Sequence, residues 1–147
     1  MKNPGAGARR RARRAALQAL YQWQATGQPA EEIIAQFDDE KASGNLDRDY
    51  FCRIVQGVIN NVESLDAMLT PYLYRPLQQV DPVERAVLRL AAFELSCCDD
   101  VPWRVIIDES VELARAFGAE QGHRFVNGVL DKLAPSIRTA AKSGPGD

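Results

Sequence analysis

The sequence contains few of the side chains from which metal sites and disulfide frameworks are built. It has one histidine, His123, and three cysteines, of which Cys97 and Cys98 are adjacent and none is spaced as C-x-x-C. An odd number of cysteines with this spacing argues against a disulfide-stabilised secreted fold and is typical of reduced thiols inside a cell. A closed zinc site needs four nitrogen, sulfur or oxygen ligands, so we expect no metal and no other cofactor.

Long apolar runs are also missing. No stretch of the sequence approaches the roughly 18 consecutive apolar residues that are needed to span a bilayer. The basic N-terminus is not followed by the short apolar segment of a secretory signal. These two absences predict a cytoplasmic protein that does not enter the membrane.

Signs of catalysis are scarce as well. No segment alternates convincingly as a strand does, so a glycine-rich phosphate loop has no strand from which to start. His123 has no serine or cysteine close to it in the sequence that would suggest an activated nucleophile. Glu109 and Glu112, spaced i and i+3, are more simply one polar face of a helix. We therefore expect a protein that is not an enzyme.

Acidic residues are absent from the N-terminal region. Residues 1–14 contain Lys2 and five arginines, a charge of +6, whereas the rest of the chain has 12 basic and 20 acidic residues, a charge of −8. The total charge of −2 conceals this asymmetry. The composition excludes a globally basic nucleic-acid binder but is compatible with one localised basic site on an acidic chain.

The arginine block runs directly into an amphipathic helix. At 100° per residue, one stripe of this helix is apolar and consists of Ala12, Ala16, Ala19, Leu20 and Trp23. A second stripe is predicted to face outward and consists of Arg10, Arg14, Leu17 and Tyr21. Two interpretations of the arginine face stay open at this point. It is either a solvated charge run with Tyr21 at the core edge, or a surface that binds single-stranded nucleic acid by phosphate contacts and stacking.

Helical periodicity continues along the chain and predicts an all-α fold with six to seven helices. Asp81-Pro82 is a helix start, in which Glu84 has the spacing of a capping-box acid. Other boundaries are predicted at Gly27, at the polar loop Asp38–Asn45, at Asn60-Asn61, at Gly118 and at Pro135. We expect one helical domain over residues 9–137, with flexible tails over residues 1–8 and 138–147.

The start of the last helix, predicted at His123, is a second candidate site. The free N–H groups of a helix start, together with His123 and Arg124, are suited to a phosphate. Phe125 is interpreted either as a ring that stacks on a base or as an aromatic at the edge of the core. Glu84 likewise has two interpretations, as a helix cap and as an exposed carboxylate that meets a partner.

Three stretches of the sequence resemble the NusB family of bacterial transcription antitermination factors. They are RRRARRAALQALYQW, VERAVLRLAAFEL and DVPWRVIIDESVELARAFGAEQGHRFVNGVLDKLAP, and the resemblance covers Arg9 to Ile137. It implies an all-α fold of two packed three-helix bundles and no catalysis. It also implies binding to boxA RNA of ribosomal RNA transcripts, jointly with the ribosomal protein NusE, within the RNA polymerase antitermination complex.

The resemblance also assigns residues to these roles. RNA contacts are implied for Arg9, Arg10, Arg11, Arg13 and Tyr21, and for Gln121, His123, Arg124, Phe125 and Asn127. Contacts with NusE are implied for Glu84, Arg85 and Arg89. The chain departs from the family pattern at three positions. Arg14 stands where many relatives have Glu, Asp108 where the family usually has Asn, and Gln121 where it has an acidic residue.

One further expectation accompanies this assignment: a homodimer that forms when RNA is absent would cover the arginine face. Two alternatives to the assignment stay open. The first is enzymatic, since NusB-like domains also occur in RNA cytosine methyltransferases, but such an enzyme needs a cofactor-binding α/β domain that these 147 residues do not contain. The second is a purely structural helical protein that oligomerises through the regions of Trp23 and Tyr72.

Overall fold

The protein is described by a computed structural model that covers residues 4–37 and 46–139. Within these ranges it consists of helices and short turns without a β-strand, which confirms the all-α prediction. The seven α-helices are α1 (Pro4–Thr26), α2 (Ala30–Ala35), α3 (Arg48–Asn60), α4 (Val62–Leu69), α5 (Pro82–Cys97), α6 (Trp103–Phe117) and α7 (Gly122–Ala134). Two 3-10 turns (Thr70–Tyr72 and Leu77–Gln79) precede α5, and a π-helical turn (Pro135–Thr139) follows α7.

The chain divides into two compact units between Asn60 and Asn61, where the sequence predicts a break. The first unit contains α1, α2 and α3, and the second contains α4 to α7. Each unit has its own buried apolar side chains. The predicted polar loop Asp38–Asn45 lies outside the described residues.

The core of the first unit is formed where α1 packs on α3. The predicted apolar stripe of α1 is confirmed at Ala12, Ala16, Ala19 and Leu20, which are completely buried, while Trp23 is half-buried. Small alanine side chains allow the two helices to approach closely. They pack against a row of larger residues on α3, which consists of Phe51, Ile54, Val55 and Val58.

Helix α1 begins at Pro4. Residues 4–8, which belong to the predicted N-terminal tail, are therefore helical. Proline suits the first position of a helix because its missing N–H has no intrahelical partner there. The carbonyl of Ala8 accepts a hydrogen bond from the backbone N–H of Asp47 at 3.0 Å, which ties this turn to the start of α3. The rest of the two predicted tails, residues 1–3 and 140–147, lies outside the described residues.

Helix α5 is the central helix of the second unit and contacts α4, α6 and α7. Leu88, Leu90 and Leu95 of this helix are completely buried. Its C-terminal carbonyls are covered by the guanidinium group of Arg138, which donates to Leu95 O at 2.8 Å and to Cys98 O at 3.2 Å. The π-helical turn after α7 thus closes the end of α5.

The predicted start of α5 is confirmed. The Asp81 carboxylate accepts hydrogen bonds from the backbone N–H groups of Val83 at 2.9 Å and Glu84 at 3.4 Å, and Pro82 is the first helical residue. Replacing Asp81 by alanine is expected to lower the free energy of unfolding by about 1 kcal/mol, because these two N–H groups lose their acceptor. Urea denaturation measures the change. Asp81→Asn keeps a capping oxygen and should stay close to the unmodified protein; an equal loss in both variants would contradict the capping role.

Candidate nucleic-acid interface

Helix α1 displays a group of exposed arginines. Arg10, Arg11 and Arg14 are exposed, and Arg9 is half-buried. The first turn of the helix contains no acidic residue that would offset their charge. Tyr21, on the same helix, is 46% exposed. This part of the first unit therefore presents both positive charge and an accessible aromatic ring.

Arg13 is placed differently from its neighbours, since it is only 4% exposed. Its guanidinium group lies 5.6 Å from the ring centre of Tyr50 on α3, and that of Arg9 lies 4.2 Å from the same ring. Tyr50 itself is 3% exposed. Arg13 therefore packs inside the first unit through a cation–π contact, and its contact with RNA stays a prediction.

The predicted outward stripe of α1 needs one correction. Leu17 is buried, whereas Arg10, Arg14 and Tyr21 of the same stripe are exposed. Leu17 follows Arg13 by four residues, so the two side chains lie on the same side of the helix. Both are buried, and the core contact on that side of α1 is therefore wider than the predicted stripe.

The start of α7 brings the second set of predicted residues together. Gly122 begins the helix, His123 and Phe125 are half-buried, and Arg124 and Asn127 are exposed. The side-chain amide of Asn127 lies 3.4 Å from the carboxylate of Asp131, one turn further along.

Gln121 precedes α7 and adopts a left-handed backbone conformation with φ 73°. This conformation is uncommon for a residue other than glycine. Its side chain is exposed and makes no capping hydrogen bond to the helix start. Gln121 thus lies at the surface immediately before α7. The first N–H groups of this helix are bonded within the turn, since Gly122 N–H donates to Ala119 O at 2.9 Å and Arg124 N–H to Gln121 O at 3.1 Å.

Phe125 contacts an aromatic residue that sequence reasoning missed. Its ring and that of Tyr74 are nearly perpendicular, at 86°, with their centres 5.6 Å apart. Tyr74 lies in the connection between α4 and α5, far from Phe125 in the sequence, so no local pattern connects the two. Phe117, the last residue of α6, is another exposed aromatic residue, at 47%.

Glu84 is buried, at 5% exposed. One carboxylate oxygen, Oε2, accepts a hydrogen bond at 2.9 Å from the backbone N–H of Ala119, between α6 and α7. Two glycines make room for this carboxylate. A Cβ atom added to Gly122 would lie 1.9 Å from Oε2, and one added to Gly118 would lie 2.8 Å from it.

These contacts bear on both interpretations of Glu84. The observed bond goes to Ala119 and not back to Asp81 as in a capping box. The carboxylate is not exposed as expected, since the residue is 5% exposed, and its contact with a partner stays a prediction. Glu84 instead fastens the α6–α7 connection to the start of α5. Burial raises the pKa of Glu84 and the negative charge of Asp81 adds to this effect, while the hydrogen bond from Ala119 opposes it.

The two arginines assigned to the partner surface also make contacts within the second unit. Arg89 donates two hydrogen bonds to the carboxylate of Asp66 on α4, at 2.9 and 2.8 Å, and its side chain is 12% exposed. Arg85 is half-buried and donates to the carbonyl of Gln78 at 3.1 Å. Both arginines are half-buried.

The described residues contain neither a membrane-spanning helix nor a metal-binding cluster. None of the helices in residues 4–37 and 46–139 is long and apolar enough to cross a membrane. In the same part of the chain, no group of three or more His, Cys, Asp and Glu side chains is arranged to hold a metal ion.

The fold and the two candidate surfaces define a class of protein: an all-α protein whose first helix displays concentrated positive charge, as helical nucleic-acid-binding proteins do. The sequence profile of the NusB family matches residues 10–135. The chain therefore belongs to the NusB family.

Individual relatives agree with this assignment. The chain is 51% identical over 144 residues to the transcription antitermination protein NusB of Alcanivorax borkumensis, covering 97% of this chain and 96% of that protein. It is 52% identical over 131 residues to the NusB of Yersinia pestis, covering 89% and 95%.

Solved structures show the same fold. NusB of T. maritima matches with a TM-score of 0.83 at 34% identity, covering 97% of this chain and 98% of that one. A crystal structure of the antitermination factors NusB and NusE in complex with double-stranded RNA matches with a TM-score of 0.81 at 26% identity. That match covers 89% of this chain and 98% of the other.

Proposed function

We propose that this chain is a transcription antitermination factor that binds boxA RNA of ribosomal RNA transcripts together with the ribosomal protein NusE. Membership of the NusB family supports the antitermination role. A structural neighbour was crystallised with NusE and RNA, which supports these two kinds of partner. The observation that carries the proposal is the exposed positive charge of α1 on an otherwise acidic chain.

Each unit has its own set of proposed RNA contacts. On α1, Arg9, Arg10 and Arg11 contact phosphates, and Tyr21 offers a ring to a base. At the start of α7, the proposed contacts are Gln121, His123, Arg124, Phe125 and Asn127. Phosphate contacts supply affinity and salt dependence, whereas stacking and hydrogen bonds to unpaired bases supply selectivity. Arg13 acts indirectly, by holding α1 against Tyr50.

The proposed surface for NusE lies along α5. Arg85 contributes directly, since part of its side chain is accessible. Arg89 and Glu84 contribute indirectly: Arg89 fixes α5 to α4, and Glu84 fixes it to the α6–α7 connection. Binding of RNA by the two proteins together exceeds that of either alone, because each adds its own contacts to a shared ligand.

The same proposal makes the protein a non-enzymatic, cytoplasmic component of the RNA polymerase antitermination complex. Recognition of an RNA segment needs no covalent step and no cofactor. A homodimer in the absence of RNA is a further proposal, since an exposed arginine face is open to a second copy as well as to RNA. Size measurements with and without boxA RNA decide that point.

Replacing Arg10 and Arg11 together by alanine is expected to weaken binding to boxA RNA and to flatten its salt dependence. Each phosphate contact with single-stranded RNA contributes about 0.7 to the slope of log affinity against log salt concentration, so the slope should fall by about 1.4. A gel-shift titration at several salt concentrations, with and without NusE, measures both quantities.

The matched control removes the same charge elsewhere. Arg104 and Lys132 are also exposed, on α6 and near the end of α7. Their double replacement by alanine should leave the slope close to that of the unmodified protein. Equal slopes for both double variants would contradict the assignment of α1 as the phosphate-binding helix.

A further inference from the structure

Tyr74 is a large aromatic side chain that the surrounding structure holds in place and yet leaves at the surface. Its ring is 74% exposed, the most of any large apolar side chain in the described part of the chain. The connection that carries it is fixed on both sides. Leu73 N–H donates to Thr70 O at 3.2 Å before it, and Leu77 is 5% exposed after it. Tyr74 is therefore exposed although the chain on both sides of it is held in place.

The contact with Phe125 orients the exposed ring. Perpendicular rings with centres 5.6 Å apart are in a favourable edge-to-face geometry. An aromatic pair that only stabilised the fold would bury both rings, because stabilisation grows with the apolar area removed from water. Here Phe125 is half-buried and Tyr74 is mostly in solvent. The two rings therefore leave an aromatic surface that is accessible to a planar ligand.

Two arginines, Arg75 and Arg124, are next to these aromatic residues in the sequence. The guanidinium group of Arg75 lies 5.1 Å from the centre of the Tyr74 ring and donates to its hydroxyl oxygen at 3.0 Å. Arg124, next to Phe125, is exposed. Tyr74 and Arg75 also border an open cleft of about 440 Å³, in which the carboxylate of Asp66 is paired with Arg89. An aromatic ring flanked by arginines is the combination that single-stranded nucleic acids bind.

We infer that Tyr74 and Phe125 form a two-ring platform that stacks one unpaired nucleobase of the RNA, with Arg75 beside it to contact a phosphate. This inference rests on the proposed function and extends it to a residue outside the predicted RNA contacts. Phe125 supplies the edge that orients Tyr74, and Tyr74 supplies most of the accessible ring surface. The platform selects unpaired bases, because a base in a duplex is already stacked on its neighbours.

Replacing Tyr74 by alanine is expected to weaken binding of single-stranded boxA RNA roughly tenfold, the effect of losing one base–aromatic stack. Tyr74→Phe keeps the ring and should bind within about twofold of the unmodified chain. The salt slope should not change in either variant, since no phosphate contact is removed. Because Tyr74 is mostly exposed, both variants should melt at nearly the temperature of the unmodified protein, which a thermal melt checks.

The base is located with RNAs in which one position at a time is abasic. At the position that stacks on Tyr74, the abasic RNA should bind the unmodified protein and Tyr74→Ala equally well. If the chain binds RNA and Arg10→Ala/Arg11→Ala weakens it, but Tyr74→Ala does not, the platform is wrong and the proposed function stands. An equal loss for Tyr74→Ala with duplex RNA would also overturn the platform. No RNA binding by the unmodified chain with NusE would overturn both.

Discussion

Replacing Gly122 by alanine is expected to lower the free energy of unfolding by about 2–4 kcal/mol. The added Cβ atom would lie 1.9 Å from Oε2 of Glu84 and 2.4 Å from its carboxyl carbon, far inside van der Waals contact. The carboxylate has to move, and its hydrogen bond from Ala119 N–H is then lost. Overpacking of a buried site typically costs 1–3 kcal/mol, and the loss of one hydrogen bond adds about 1 kcal/mol.

The same helix supplies a matched control. A Cβ atom added at Gly128 would meet nothing within 4 Å, so Gly128→Ala should raise the free energy of unfolding by up to about 1 kcal/mol through better helix propensity. Urea denaturation of both variants measures the contrast. If Gly122→Ala were as stable as Gly128→Ala, the carboxylate of Glu84 would not occupy the space beside Gly122.

Much of the fold could be predicted from local signals. Asp81-Pro82 marks the start of α5, and Pro135 follows the end of α7, where the structure has them. Gly27 ends α1 with φ 73°, a conformation that glycine adopts readily. A cap, a proline or a left-handed glycine acts on the backbone within one helical turn. The residue that determines a helix boundary is therefore close to that boundary in the sequence.

Parts of the candidate site depend on residues that are distant in the sequence, and there the sequence misled. Arg13 belongs to a run of arginines, but its guanidinium group packs against Tyr50 of α3 and is buried. Glu84 has the spacing of a capping box, but its carboxylate bonds to Ala119, 35 residues away. The exposure of Arg10 and Arg11 could be predicted from the helical periodicity of α1, which puts them away from its apolar stripe.

The corrected position of Glu84 changes what its substitution should do. The residue lies at the start of α5, the helix proposed to meet NusE, and bonds to the backbone of Ala119. Ala119 precedes the start of α7, where RNA contacts are proposed. A variant that weakened both activities would therefore not identify Glu84 as a contact residue. Stability has to be measured together with binding. Variants that change the charge of the side chain have to be compared with variants that change its size.

Glu84→Ala is expected to lower the free energy of unfolding by about 2 kcal/mol, because the N–H of Ala119 loses its acceptor and a cavity is left behind. Glu84→Gln keeps an oxygen that can accept this bond and removes the charge. Burial raises the pKa of Glu84 above its ordinary value of 4.5, so its stabilising contribution is present below that value and is lost as the pH rises through the raised pKa. The stability of Glu84→Gln relative to the unmodified protein should therefore increase from pH 4 to pH 7.

Binding to NusE then separates the two roles. If Glu84 acts from inside the second unit, Glu84→Gln keeps its affinity for NusE, while Glu84→Ala loses affinity in parallel with stability. If the negative charge met NusE directly, Glu84→Gln would bind several-fold more weakly without any change in its denaturation midpoint. The structure favours the first result, because a carboxylate that is 5% exposed and bonded to Ala119 has too little surface left for a partner.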